Sequence, residues 1–120
     1  MAKQVHDVVG REKLAGLDNL FRARALKVIA FLQEKGWQLR IVWGRRTPAE
    51  NEALVNQGLA SLTSKHLDGK ALDLIDRGVG YSPNRSHPFY KDMEQACKAA
   101  GVVWGGHFSS RWDPCHFEMP

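Results

Sequence analysis

The 120-residue chain has only two cysteines, Cys97 and Cys115, and neither belongs to a Cys-x-x-Cys pair. That excludes a disulfide framework, so the fold rests on burial and on any metal it binds. No run of about 18 apolar residues occurs, which excludes a membrane-spanning helix, and the opening Met1-Ala2-Lys3-Gln4-Val5-His6-Asp7 lacks the apolar stretch of a secretory signal. The expectation is a chain made in the cytoplasm, soluble and without membrane insertion. There is no internal repeat, low-complexity tract or linker. At 43% hydrophobic, the chain suits one compact core, so residues 1–120 are expected to form a single domain. A concentrated basic stripe is also missing. The net charge of +4 and pI near 9.3 favour an anionic polymer. The lysines and arginines are scattered, however, and the one modest cluster, Arg22, Arg24 and Lys27, sits on the polar face of a helix. A solvated face explains it better than a nucleic-acid contact.

What is present is a mixed helix and strand pattern. From Arg11 to Lys35, Leu14, Leu17, Phe21, Val28, Ile29 and Leu32 recur at three- and four-residue steps, which predicts one amphipathic helix stopped by Gly36. Gln38 to Trp43 alternates as a strand, with Leu39, Ile41 and Trp43 on one face. Thr47-Pro48-Ala49-Glu50 is a capping box opening a short helix that runs to about Gln57. Residues 59–70 read as a loop feeding a second strand, Ala71 to Ile75. A long irregular connection follows, then a helix from Pro88 to Ala100 with Phe89, Met93, Ala96 and Cys97 inward. Val102 to Trp104 and His116 to Met119 read as two further strands. The sum is an α+β domain, a small antiparallel sheet backed by helices.

Ser64-Lys65-His66, Asp73 and the terminal Asp113-Pro114-Cys115-His116-Phe117 carry the chemistry. Two imidazoles and a carboxylate are the ligand set of a catalytic zinc with an open fourth position. Asp73 opposes Leu72 and Leu74 across its strand, and His116 opposes Phe117 across its own. If the apolar sides share one core, both ligands emerge on the open face of the sheet. His66 completes the set from the preceding loop. Asp113 can act as proton acceptor if the Pro114 turn curls it back.

Ser64-Lys65-His66-Leu67-Asp68-Gly69-Lys70-Ala71-Leu72-Asp73-Leu74, with Trp104-Gly105-Gly106 and Asp113-Pro114-Cys115-His116-Phe117, resembles the zinc D-alanyl-D-alanine carboxypeptidases and dipeptidases. It is most similar to the branch of phage endolysins that cut the L-alanyl-D-glutamate bond of peptidoglycan. The resemblance implies Zn2+ as cofactor, His66, Asp73 and His116 as its ligands, and Asp113 as catalytic acid/base. The family's Gly-x-Arg-Ser turn corresponds to Gly44-Arg45-Arg46-Thr47, which implies Arg46 as the arginine that binds substrate or stabilises the oxyanion. Arg45 stands where an aromatic residue is common, so either arginine remains open. Asp in place of Glu at 113 moves the chain toward the endolysin-like branch.

Each residue also has a plainer account. Asp73 interrupts an apolar strand, where an unpaired charge costs several kcal/mol of desolvation, so something must compensate it. Ser64 fits a supporting contact better than a nucleophile. His6, His87 and His107 lack matching partners and are expected to face solvent. Cys115 and His116, neighbours on a strand, point to opposite sides and cannot form a thiol-protease pair. Trp104 and Trp112 are candidates for a substrate groove, although Trp43 and Trp104 suit a core equally well.

The functional expectation is a monomeric peptidoglycan peptidase of host or bacterial cytoplasm, reaching the wall stem peptide after another factor opens the membrane. A D-Ala-D-Ala carboxypeptidase or dipeptidase and a non-catalytic, zinc-stabilised wall-binding module are the alternatives.

Overall fold

The computed structural model describes residues 7–120. Among them, strands β1 (Leu39–Trp43), β2 (Ala71–Asp76), β3 (Val103–Trp104) and β4 (His116–Glu118) form one antiparallel sheet in the order β1-β2-β4-β3. Helices α1 (Asn19–Glu34) and α3 (Pro88–Ala100) pack together, and α2 (Pro48–Asn56) lies apart from them between β1 and β2 in the chain. The expected α+β architecture is therefore the observed one. His6 lies outside the described residues.

The core follows the apolar spacing. Phe21, Ala25, Val28, Ile29 and Leu32 of α1 and Phe89, Met93, Ala96 and Cys97 of α3 are buried against Leu39, Ile41, Leu72, Leu74 and Phe117 of the sheet. Phe21 and Phe117 meet with ring centroids 5.8 Å apart, linking α1 directly to β4. Burying such side chains is worth about 1.5–3 kcal/mol each, and it fixes which face of β2 and β4 is left for chemistry.

The single helix expected from Arg11 to Lys35 is instead two elements. A 3-10 turn, Arg11–Gly16, ends at Leu17, which is extended, and α1 begins after Asp18. Asp18 accepts a hydrogen bond from the Phe21 amide at 3.0 Å, so a local carboxylate cap wins over continued helix. Leu14 and Leu17 still reach the core, which is why the spacing looked continuous. Arg22 donates to the carbonyls of Leu14, Ala15 and Leu17, and Arg24 to that of Gly101, so these two cations tie chain segments together.

The capping box at Thr47 is present in full: Thr47 Oγ1 accepts from the Glu50 amide and Glu50 Oε1 from the Thr47 amide. In β1 the register slips between Ile41 and Trp43. This bulge breaks the strict alternation expected from Leu39 to Trp43, and Val42 and Trp43 both border the cleft described below. His87 is not a free surface residue. Its Nδ1 accepts from the Phe89 amide at 3.1 Å and caps α3, with its ring against Trp37 and Tyr90. His107 is exposed, as expected, but pairs with Glu94 at 2.7 Å.

Candidate metal centre

Asp73 and His116 are direct partners across the β2–β4 ladder. Leu72, Leu74 and Phe117 point into the core, so the pleat sends Asp73 and His116 to the same opposite side. His66 arrives from a 3-10 turn, Lys65–Asp68, that the sequence presented as loop. Ser64 caps this turn, its Oγ accepting from the His66 amide at 3.2 Å. Gly69 ends it at φ +69°, where an added Cβ would also lie 2.8 Å from the Gly16 carbonyl oxygen, so the position requires glycine. Ala71, fully buried, starts β2. The Ser-x-His and Gly-x-Ala-x-Asp spacing is thus a cap, a left-handed turn and a strand entry that together place His66 beside Asp73.

The three donor atoms lie within 4.8 Å of one another. Asp73 Oδ1 is 2.9 Å from His116 Nδ1 and 3.3 Å from His66 Nε2. The latter approach lacks hydrogen-bond geometry, and His66 Nε2 is a buried nitrogen with no partner. The other nitrogen of each ring is engaged elsewhere. His66 Nδ1 sits 2.8 Å from the Gly44 carbonyl oxygen, which only accepts, so Nδ1 carries the proton and Nε2 presents a lone pair. His116 Nε2 is 2.8 Å from Glu118 Oε1, which directs Nδ1 inward. Two imidazole nitrogens and a carboxylate oxygen therefore converge on one point, a donor set that could hold a cation. The donor set fits zinc.

The electrostatics agree. Burial pushes the Asp73 carboxyl up, but the imidazoles of His116 and His66 pull it further down, well below the usual carboxylate range. Burial opposes a charged His116, yet hydrogen bonds to Asp73 and Glu118 outweigh it and raise its pKa to about 9.

Arg46 answers the question of which arginine reaches the site. Arg45 is exposed, whereas Arg46 is buried over the Trp43 ring, with its Nη2 3.4 Å from Asp73 Oδ2 and Nη1 3.3 Å from Asn51 Oδ1. Ser64 Oγ is 3.5 Å from the same Nη1. Arg46 Nε is buried without a partner. Asp113 stands at the rim, its side chain 39% exposed, with Oδ2 3.9 Å from His116 Nδ1. Partial burial, followed by the charge of Asp73, raises its pKa above the ordinary value.

These groups line a cleft of about 690 Å3 that also takes in Trp43, Lys65, Tyr81 and Phe108. Trp112 lies elsewhere: it packs edge-on against Tyr90 under Arg85, so it is not a wall of this cleft. Trp104 donates its indole N–H to the Pro114 carbonyl at 2.7 Å. Cys115 is fully buried, and burial, then the nearby Asp73 charge, raises its thiol to about 12, which leaves it inert.

Glu118, Asn51, the Gly44 carbonyl and Tyr81 are groups at the site that the sequence motifs do not include. Only Glu118 has a signal in the sequence, since it lies two residues beyond His116 on the same strand face.

A family model described as D-alanyl-D-alanine carboxypeptidase matches residues 57–119, just over half of the chain, including His66, Asp73, Asp113 and His116. Among solved structures, the L-Ala D-Glu endopeptidase ChiX of Serratia marcescens is similar over 99% of this chain and 90% of that chain, with a TM-score of 0.72 and 23% identity. The LD-carboxypeptidase LdcB is similar over 86% of this chain and 58% of its own, at TM-score 0.67 and 15% identity. A variant of the vancomycin-resistance D,D-pentapeptidase VanY, in complex with Zn(II), is similar over 86% of this chain and 72% of its own, at TM-score 0.66 and 14% identity. No curated protein matches in sequence. At these identities the structural likeness is one of fold.

Proposed function

The chain belongs to the zinc peptidase family of D-alanyl-D-alanine carboxypeptidases, and from that premise we propose that it hydrolyses the L-Ala-D-Glu bond of the peptidoglycan stem peptide, as an endolysin-like peptidase. The observation that carries this reading is the convergence of His66 Nε2, Asp73 Oδ1 and His116 Nδ1 beneath a cleft that also holds Asp113 and Arg46. In this reading His66, Asp73 and His116 hold Zn2+, with Asp113 and Arg46 acting on the substrate. The likeness to ChiX over nearly the whole chain supports the choice of bond. The net charge of +4 suits an anionic wall.

Bound at this site, zinc supplies a Lewis acid that polarises the scissile carbonyl and makes a water nucleophilic near neutral pH. The chain's own groups do the rest. Asp113 takes a proton from the attacking water and returns it to the leaving amine. Arg46, fixed by Asp73 and Asn51, offers its guanidinium to a substrate carboxylate or to the oxyanion of the tetrahedral state. The Gly44 carbonyl and Glu118 hold the two imidazoles in the tautomers that present Nε2 and Nδ1.

The family's own description favours a second reading, release of the terminal D-Ala. Purified muropeptides digested with the zinc-loaded protein and analysed by mass separate the two: cleavage after L-Ala supports the endopeptidase, and loss of D-Ala alone supports the carboxypeptidase. If the parent and its Asp113→Ala variant bind wall fragments equally and cleave none, the protein is a binding module instead. The endolysin reading further places the protein in the cytoplasm, as a monomer that meets the wall once another factor opens the membrane. Lysis of permeabilised but not intact cells tests that.

A further inference from the structure

Tyr81 is a large aromatic residue with 60% of its surface exposed, on a segment that is otherwise held firmly. The residues on either side of it are pinned. The Gly80 amide donates to the Asp76 carbonyl at 2.8 Å, and Asp76 Oδ2 accepts from the amides of Gly78 and Val79. On the other side, the buried Tyr90 phenol donates to the Ser82 carbonyl at 2.7 Å and accepts from the Ser82 amide at 2.8 Å. A core tyrosine thus uses both of its hydrogen-bonding roles to fix the residue next to Tyr81. The outcome is an exposed ring on a preorganised backbone at the wall of the cleft that contains Arg46, Asp73, Asp113 and His116.

An exposed aromatic side chain gains nothing from burial in the free protein, and fixing its backbone adds an entropic cost. Both features are accounted for if the ring is covered by a ligand. The hydroxyl makes no hydrogen bond to any described residue, and the ring borders the same cleft as the carboxylates of Asp73 and Asp113 and the guanidinium of Arg46. Desolvation, and then those carboxylates, oppose its ionisation, so it remains a proton donor throughout the working range.

We propose that Tyr81 is a catalytic residue whose ring covers the bound peptide and whose hydroxyl donates a hydrogen bond to the oxygen of the scissile carbonyl, a bond that strengthens as that oxygen gains charge in the tetrahedral state. No proton is transferred; the phenol O–H stays intact while Asp113 moves the proton. The inference rests on the peptidase reading for the identity of the substrate, but not for the chemistry of the contact.

The test compares the zinc-loaded parent with Tyr81→Phe, which keeps the ring and removes only the hydroxyl. The measurements are kcat and KM on muropeptides, calorimetric affinity for a phosphinate analogue of the L-Ala-D-Glu dipeptide, bound zinc and Tm. The expected result is a loss of about ten-fold in kcat and in phosphinate affinity, with KM, zinc content and Tm unchanged. The loss falls below the 10²–10³ of an enclosed oxyanion donor because the ring is more than half exposed. If Tyr81→Phe matches the parent in both kcat and phosphinate affinity, the assignment is overturned and the peptidase reading stands. If the parent cleaves no wall peptide yet its phosphinate affinity depends on the hydroxyl, the substrate reading fails and the hydrogen bond from Tyr81 to a tetrahedral oxygen stands. A parent that neither cleaves muropeptides nor binds the phosphinate overturns both.

Discussion

Glu118 lies two residues beyond His116 on β4 and accepts from its Nε2 at 2.8 Å, while Glu118 Oε2 is 3.1 Å from Lys65 Nζ. The His116 hydrogen bond, then the contact with Lys65, holds the Glu118 carboxyl below its ordinary pKa against the effect of burial, so it is an anion at neutral pH. The carboxylate sets which imidazole nitrogen faces Asp73, and the lysine sets where the carboxylate sits.

Removing that acceptor by Glu118→Ala frees the His116 ring to rotate and to change tautomer. Zinc affinity, measured by competition with a chelator, is expected to fall about 10- to 100-fold, the usual consequence of losing such a support. Glu118→Gln keeps an oxygen acceptor and should recover part of the loss. Equal zinc affinity in all three proteins would show that Glu118 has no orienting role.

Asp113 borders the proposed metal site, its Oδ2 3.9 Å from His116 Nδ1, but does not belong to the group His66, Asp73 and His116 whose donor atoms converge. Asp113→Asn is therefore expected to keep bound zinc and Tm while lowering kcat on muropeptides by about 10²- to 10⁴-fold, the range for a lost general acid/base. Loss of zinc from this variant would instead make Asp113 a ligand.

Much of this geometry is legible in sequence because it depends on parity. Asp73 and His116 each interrupt an apolar alternation, so the side of the sheet they occupy follows once Leu72, Leu74 and Phe117 are placed in the core. The capping box at Thr47 is equally local and reads correctly. What sequence does not carry is the contact made across loops. Gly44 reaches His66 through a backbone carbonyl, which every residue possesses, and Asn51, early in α2, meets Arg46 five residues before it through a side-chain contact that no motif announces. The break before α1 was hidden for a different reason: Leu14 and Leu17 are buried from a 3-10 turn and its extended end, at spacings that also suit a continuous helix.

The two adjacent arginines should respond very differently to the same change. Arg46→Lys removes the fork that spans Asp73 and Asn51 and leaves a point charge in its place. A hydrogen bond to a charged group is worth about 1.5–3 kcal/mol, so kcat/KM is expected to fall roughly 10- to 100-fold. Arg45→Lys, on an exposed side chain, should leave kcat/KM and Tm near those of the parent. The reverse ranking would move the substrate-binding role to Arg45.

Gly105 is where the Trp104-Gly105-Gly106 turn packs against the backbone of Asp113 and His116. A Cβ at this position would lie 3.0 Å from the His116 carbonyl oxygen and 3.1 Å from the His116 Cβ, and it would collide with the Asp113 carbonyl oxygen. The same glycine's carbonyl accepts from the Asp113 amide at 3.1 Å, and the Asp113 carbonyl accepts from the His116 amide at 3.1 Å. Its missing side chain thus lets one backbone turn set the spacing between the proposed acid/base and a proposed ligand. Gly105→Ala must displace that turn, at an overpacking cost of about 1–3 kcal/mol. Because Asp113 and His116 are carried on the displaced segment, Tm, zinc affinity and kcat are expected to fall together, in contrast to Asp113→Asn, which lowers kcat alone. Thermal unfolding and chelator competition on the two variants side by side distinguish a steric role for Gly105 from none, since an alanine accommodated without loss of Tm or zinc would mean that the turn is free to move.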